Sequence, residues 1–251
     1  MPRNLKLTLA YDGFDFAGWQ VQPDRATIQG ALAAAIEHLT GEKTLPQGSG
    51  RTDAGVHALA QVASVEIASP IPAANLRLAL NDVLPAPIRI LNVEEVADNF
   101  HARKSARAKT YCYRIYRNEI CPPFLARYVY HHPYPLDEAR IIAAAAIVAG
   151  EHDFTSFAAV DPEIRKEGLP LDNVRTIYSS QWKREGEELV YTVRGNGFLH
   201  HMVRNLVGTF LMIGKGTLTP DDLRRILDLR DRSAAAATAP ASGLYLVSVE
   251  Y

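Results

Sequence analysis

The chain has 251 residues, 47% hydrophobic and 22% charged, which is enough for one large or two modest domains and too apolar for disorder. Its 27 Lys and Arg against 28 Asp and Glu leave a formal charge of −1, so any grip on a polyanion must come from a local patch. Two cysteines, Cys112 and Cys121, cannot staple a fold of this size and do not form a Cys-x-x-Cys pair, which points to a reducing compartment, the cytoplasm. Lys6, Asp12 and Asp15 break what would be the apolar core of a signal peptide, and no uncharged apolar run approaches the roughly 18 residues of a membrane span.

Taken in order, Leu5, Leu7 and Leu9 alternate with Lys6 and Thr8 as in a half-buried strand. A helix is predicted from about Thr27, with Ile28, Leu32, Ile36 and Leu39 on one stripe and Gly41 as its stop. The turn-rich stretch Gly48 to Gly55 precedes a strand at Gln61 to Ala68, a helix at Ala73 to Val83 ending before Pro85, and a strand at Ile88 to Val96. A similar order follows: a strand at Tyr111 to Tyr116, a helix at Asp137 to Ala149, strands at Val174 to Trp182 and Leu189 to Arg194, and a helix at Leu199 to Gly214. This predicts an α+β chain of two similar halves, residues 1–104 and 105–251, each a mostly antiparallel sheet with helices on one face.

Several tempting motifs fail. Gly195-x-Gly197 and Gly214-x-Gly216 lack the third glycine of a dinucleotide fingerprint, and Gly214-Lys215 lacks the Walker glycine, Thr209 standing in its place. The pairs His131-His132 and His200-His201 are adjacent, not four apart on a helix, so they read as polar-surface or RNA-contacting residues, and no cofactor or metal is expected.

Three features carry chemistry. Glycines bracket Arg51-Thr52-Asp53-Ala54, a turn that can bring a carboxylate and a guanidinium close to a ligand; the plain alternative is an aspartate bonding its own backbone. Arg204 lies in a helix apolar around most of its circumference, so it is either paired with a carboxylate, Asp53 being the candidate, or reaches solvent along its stem. Residues 101–117 hold Arg103, Lys104, Arg107, Lys109, Arg114 and Arg117 with no acid, interleaved with Tyr111, Tyr113 and Tyr116. That composition suits gripping phosphates and stacking a base, or an ordinary sheet with charges outside and tyrosines inside. As a strand it puts Lys109, Tyr111 and Tyr113 on one face.

Gly50-Arg-Thr-Asp-Ala-Gly-Val-His57, Lys109-Thr-Tyr-x-Tyr113, His152-Asp-Phe-Thr-Ser-Phe157 and Gly197-Phe-Leu-His-His-Met-Val-Arg-Asn-Leu-Val-Gly208 resemble the motifs of the TruA-type tRNA pseudouridine synthases. Tyr11-Asp-Gly13 with Trp19, Ala234 to Pro240 and Gly243-Leu-Tyr-Leu extend the likeness over nearly the whole chain; Asp161 to Asp172 is the stretch that aligns least. The resemblance implies an isomerase with its active-site cleft between the two halves and no cofactor. In it Asp53 is the catalytic aspartate, Arg204 its partner, Tyr111 the aromatic stacking on the target uracil, and Arg51 a residue holding the RNA. Arg103, Lys104, Arg107 and Lys109 are the expected RNA contacts, and Cys112 is given no catalytic role. The same likeness implies a homodimer whose tRNA spans both subunits, with uridines 38, 39 and 40 of the anticodon arm as targets. Two rivals stand beside it: a noncatalytic RNA-binding module, which has no use for a glycine-framed aspartate, and a glycoside hydrolase, which needs a second acid, Asp153 being the distant candidate.

Overall fold

The structure is a computed structural model that describes residues 2–159 and 172–251. In chain order the elements are β1 (Arg3–Tyr11), α1 (Ile28–Thr40), β2 (Gln47–Gly48), β3 (His57–Ile67), α2 (Ala73–Val83), β4 (Ile88–Val96) and β5 (Ala108–Tyr116). They continue with β6 (Tyr130–His131), α3 (Glu138–Ala145), β7 (Gly150–Asp153), β8 (Val174–Glu185), β9 (Glu188–Gly195), α4 (Met202–Gly214), α5 (Pro220–Leu229) and β10 (Leu244–Glu250). The chain is α+β and falls into two units, Met1–Lys109 with Tyr245–Tyr251, and Thr110–Leu244. Of the poorly aligning stretch Asp161 to Asp172, residues 161–171 lie outside the described residues.

In the first unit the strand order is β4-β1-β3-β10, with β2 also on β3. Pairing is antiparallel except for β10, which runs parallel to β3 with Tyr245 opposite His57. The alternation read in β1 is a burial pattern: Leu5, Leu7 and Leu9 are fully buried and face Val65, Ala63 and Gln61 across the ladder. Helix α1 is capped as its sequence requires, Thr27 accepting from the Gly30 N–H and Gly41 ending it in a left-handed conformation (φ 75°). Its stripe Ile28, Leu32 and Ile36 is buried, as are Leu76 and Leu80 of α2. Strand β3 starts at His57, earlier than the apolar alternation suggests, because His57 is itself buried and stacked on Tyr245 (centroids 4.8 Å apart).

The second unit has strand order β5-β9-β8-β7, with the short β6 parallel to β5. Helix α4 is buried on most sides, as its sequence predicts, and Phe210 packs against Trp182 and Tyr191 of the β8–β9 hairpin at 5.9 and 5.2 Å. It starts at Met202 and not Leu199, because His201 adopts a left-handed conformation (φ 60°) that helix cannot continue through. Helix α3 stops at Ala145 and tightens into a 3₁₀ turn, Ala146–Val148, where a helix to Ala149 is predicted. Helix α5 escaped the periodicity reading although its start carries a capping box, Thr219 and Asp222 bonding each other's backbone N–H with Pro220 at the first helical position. Among the described residues, no helix is long and apolar enough to cross a membrane.

Candidate active site

In the first unit the segment Ser49–Val56 is held from several sides. The N-terminal stretch crosses it: the Trp19 N–H donates to the Thr52 carbonyl (3.0 Å) and the Gly55 N–H to the Phe16 carbonyl (3.3 Å). Gly18 makes the crossing possible, since its φ is 98° and a Cβ there would sit 2.6 Å from the Thr52 oxygen. Below the loop, Gln61 accepts from the Ser49 hydroxyl (2.6 Å) and donates to the Gly50 carbonyl (2.9 Å), while the Tyr11 phenol and Thr52 hydroxyl are 2.8 Å apart. Burial pushes the Tyr11 phenol up to about 12, so it stays protonated at any working pH. Asp53 itself is half-buried and Arg51 exposed.

The basic tract divides. Arg103, Lys104 and Arg107 are exposed, on or just after a turn closed by the Ser105 N–H to the His101 carbonyl (2.9 Å) and anchored by the Ala102 N–H to the Ser64 hydroxyl (3.2 Å). Lys109 differs: it is half-buried and its ammonium donates to the Ser49 carbonyl at 2.6 Å, at the root of the aspartate loop. Arg114 forks onto Glu188 (2.7 and 2.6 Å), and Arg117 meets Glu138 (3.2 Å) and the Tyr134 carbonyl (2.9 Å). Both of these are held by carboxylates of the protein itself, and the Arg117 side chain is largely buried.

In the second unit Tyr111 is 7% exposed and meets Phe198 edge to face (4.9 Å, 74°). Tyr113, two residues on, is fully buried, and its hydroxyl donates to the Pro240 carbonyl (2.7 Å). Burial pushes the Cys112 thiol up to about 11, which disfavours the thiolate. Arg204, in the first turn of α4, is half-buried; its Nε donates to the Ala239 carbonyl (2.8 Å), while the Ala239 N–H returns to the Arg204 carbonyl (3.1 Å). The alanine-rich segment 234–240 is thus a strap along α4. Asn205, fully buried, and Arg232 hold it through Thr238, whose hydroxyl donates to the Asn205 side-chain oxygen at 2.6 Å.

Asp153 has a structural role: it accepts from the Thr155 N–H (3.0 Å) and hydroxyl (2.6 Å) and pairs with Arg230 (3.2 Å). The Thr155 hydroxyl, above all, holds its pKa below the usual range. His132 is buried and meets Tyr130 and Tyr134 edge to face (5.6 and 5.4 Å), and His131 bonds the Asn118 carbonyl.

Sequence reasoning passed over Gln61, Tyr11, Ser49, Asn205 and Thr238 as support for the site. Gln61 carried a signal, being polar at a core-facing position of a strand otherwise filled by Ala63 and Val65. The strap, Ala234 to Pro240, was legible only as part of the family likeness; its contacts were not, because Thr238 meets Asn205 and Ala239 meets Arg204 over 30 residues away in the chain.

A family model described as tRNA pseudouridine synthase matches residues 8–103 and 144–251, which include Arg51, Asp53 and Arg204. Proteins named tRNA pseudouridine synthase A match nearly end to end. That of Solibacter usitatus is 54% identical over 250 residues, covering 99% of this chain and all of the relative. Those of Lacticaseibacillus casei (47%, 98% of each chain) and Brevibacillus brevis (46%, 99% of this chain and all of the relative) follow. The chain belongs to the tRNA pseudouridine synthase family.

Proposed function

We propose that this isomerase converts uridines 38, 39 and 40 in the anticodon arm of tRNA to pseudouridine, with Asp53 as its catalytic carboxylate. Family membership makes the chain a tRNA-uridine isomerase; the target positions and the residue roles are the further step. The reaction breaks the bond from N1 of uracil to C1′ of ribose, turns the base, and rejoins it through C5, with the C5 hydrogen lost to solvent and N1 gaining a proton. No atom is gained from a co-substrate and no energy carrier is consumed.

The base must first leave its stack, at a cost of a few kcal/mol, and its exposed π-face then needs a partner. Tyr111 takes that role, and its edge contact with Phe198 sets the ring's plane before RNA arrives. Arg51, exposed two residues before Asp53, grips the backbone of the turned-out nucleotide. Asp53 either attacks a carbon of the nucleoside or removes a sugar proton, with Arg204 as its cationic partner. Arg103, Lys104 and Arg107 add phosphate contacts. The same reading has the enzyme working in the cytoplasm as a homodimer that binds one tRNA across both subunits.

The observation that supports this most directly is the setting of Asp53: a half-buried carboxylate on a loop tethered from both sides, as a group held for chemistry requires. The test is release of the C5 hydrogen isotope from labelled uridine in an unmodified tRNA transcript. Asp53→Asn should release none while binding tRNA within about threefold of wild type, as expected of a group whose role is in the chemical step. Retained turnover in that variant would reject the catalytic assignment. Release that persists when the transcript carries cytidine at 38, 39 and 40 would reject the target positions.

A further inference from the structure

We propose that Gln61 is a positioning residue for Asp53, acting through the backbone of the loop that carries it. The inference rests on the reading of Asp53 as the catalytic carboxylate.

Gln61 is fully buried on β3, opposite Leu9, at a position where an aliphatic side chain would cost less to bury. Its amide is nonetheless fully satisfied. Oε1 accepts from the Ser49 hydroxyl (2.6 Å) and the Val62 N–H (3.2 Å); Nε2 donates to the Gly50 carbonyl (2.9 Å) and the Tyr11 hydroxyl (3.4 Å). Two acceptor and two donor sites are all an amide has, and the arrangement admits only one orientation of it. The Tyr11 and Thr52 hydroxyls lie 2.8 Å apart, so one donates to the other and the network reaches Thr52. The Lys109 ammonium closes the far side on the Ser49 carbonyl (2.6 Å).

These bonds fall on Ser49, Gly50 and Thr52, three of the four residues before Asp53; the fourth, Arg51, is exposed. Nothing in the stability of β3 needs that pattern, because two of the four bonds leave the strand for the loop. What it does is make the loop backbone a rigid extension of the sheet. A misplacement of about 1 Å at a reacting group can cost on the order of 100-fold in rate, so this fixation belongs to the chemical step.

The discriminating variant is Gln61→Glu, which replaces Nε2 by an oxygen. Ionised, that oxygen repels the Gly50 carbonyl; protonated, it donates to it as the amide does. A buried glutamic acid titrates well above its usual range. Single-turnover release of the C5 isotope should therefore fall about tenfold or more relative to wild type at alkaline pH. The variant-to-wild-type ratio should recover to within about threefold as pH falls, with tRNA affinity within about twofold throughout. Tyr11→Phe, which removes the hydroxyl that meets both Gln61 and Thr52, should lower the rate with affinity intact and without the pH-dependent recovery. A ratio that stays flat with pH, or a rate and an affinity that fall together, would overturn the proposal. Should Gln61→Glu fail to fold, wild-type turnover in Tyr11→Phe would overturn it equally. Asp53→Asn assayed alongside separates the two readings: activity there means that the catalytic assignment, not the positioning, has failed.

Discussion

Gly208 lies in the middle of α4, where alanine would ordinarily stabilise a helix by about 1 kcal/mol. Here a Cβ would stand 2.0 Å from the Ala237 carbonyl oxygen, more than 1 Å inside ordinary contact. That oxygen belongs to the backbone of the strap and has no rotamer by which to yield, so the whole segment must move out. The two bonds to Arg204, at 2.8 and 3.1 Å, then stretch beyond hydrogen-bonding range. Losing a neutral backbone bond costs about 1 kcal/mol and a guanidinium–carbonyl bond about 2 kcal/mol, which outweighs the gain in helix propensity. Gly208→Ala should therefore be destabilised by about 2 kcal/mol, lowering the melting temperature by about 4–8 °C for a chain of this size. Its turnover should fall too, because the Arg204 side chain loses its tether. Thermal melts followed by circular dichroism and the C5 isotope assay measure the two effects. A melting temperature at or above wild type would show that helix propensity outweighs the close approach and that the strap is compliant.

Two further outcomes follow from charge. His132 is buried, and desolvation, then Lys215 and Arg117, hold its pKa below the ordinary 6.5. Below about pH 6.5 the unfolded chain thus binds more protons at this position than the folded one, so stability is full above about pH 6.5 and declines as pH falls. A thermal melt at about pH 5.5 should show a smaller loss from neutral pH in His132→Gln than in wild type; equal losses would mean that another group titrates there. Replacing Arg103, Lys104 and Arg107 together by Ala should weaken tRNA binding and flatten its salt dependence by about 2 log units per log unit of salt, while leaving single-turnover chemistry at saturation unchanged. An unaltered salt slope would place the phosphate contacts elsewhere.

The elements most legible in the chain were those whose partners are close in sequence or whose faces are plainly sorted. Alternation announced β1, and the stripe with Thr27 and Gly41 announced α1 and its ends. The all-round apolar surface of α4 announced its burial. The glycine-framed stretch around Asp53 and the family motifs were equally readable, because close backbone approach leaves a signature in residue type. Even α5, which was missed, had its start written in Thr219, Pro220 and Asp222.

Other features depend on groups far apart in the chain, and residue type is silent about those. Tyr111 and Tyr113 share a face and a composition, yet one meets Phe198 and the other is bound to the Pro240 carbonyl 127 residues away. Lys109 looked like its basic neighbours until its ammonium was found on the Ser49 carbonyl. The return of β10 to run parallel to β3, and the hold of the strap on Arg204, likewise come from long-range packing. Local periodicity sorts a side chain inward or outward, because that depends on its own polarity and neighbours. Which donor meets which acceptor once inside is decided by the folded backbone, since a buried polar group takes whatever partner the tertiary structure brings within about 3 Å.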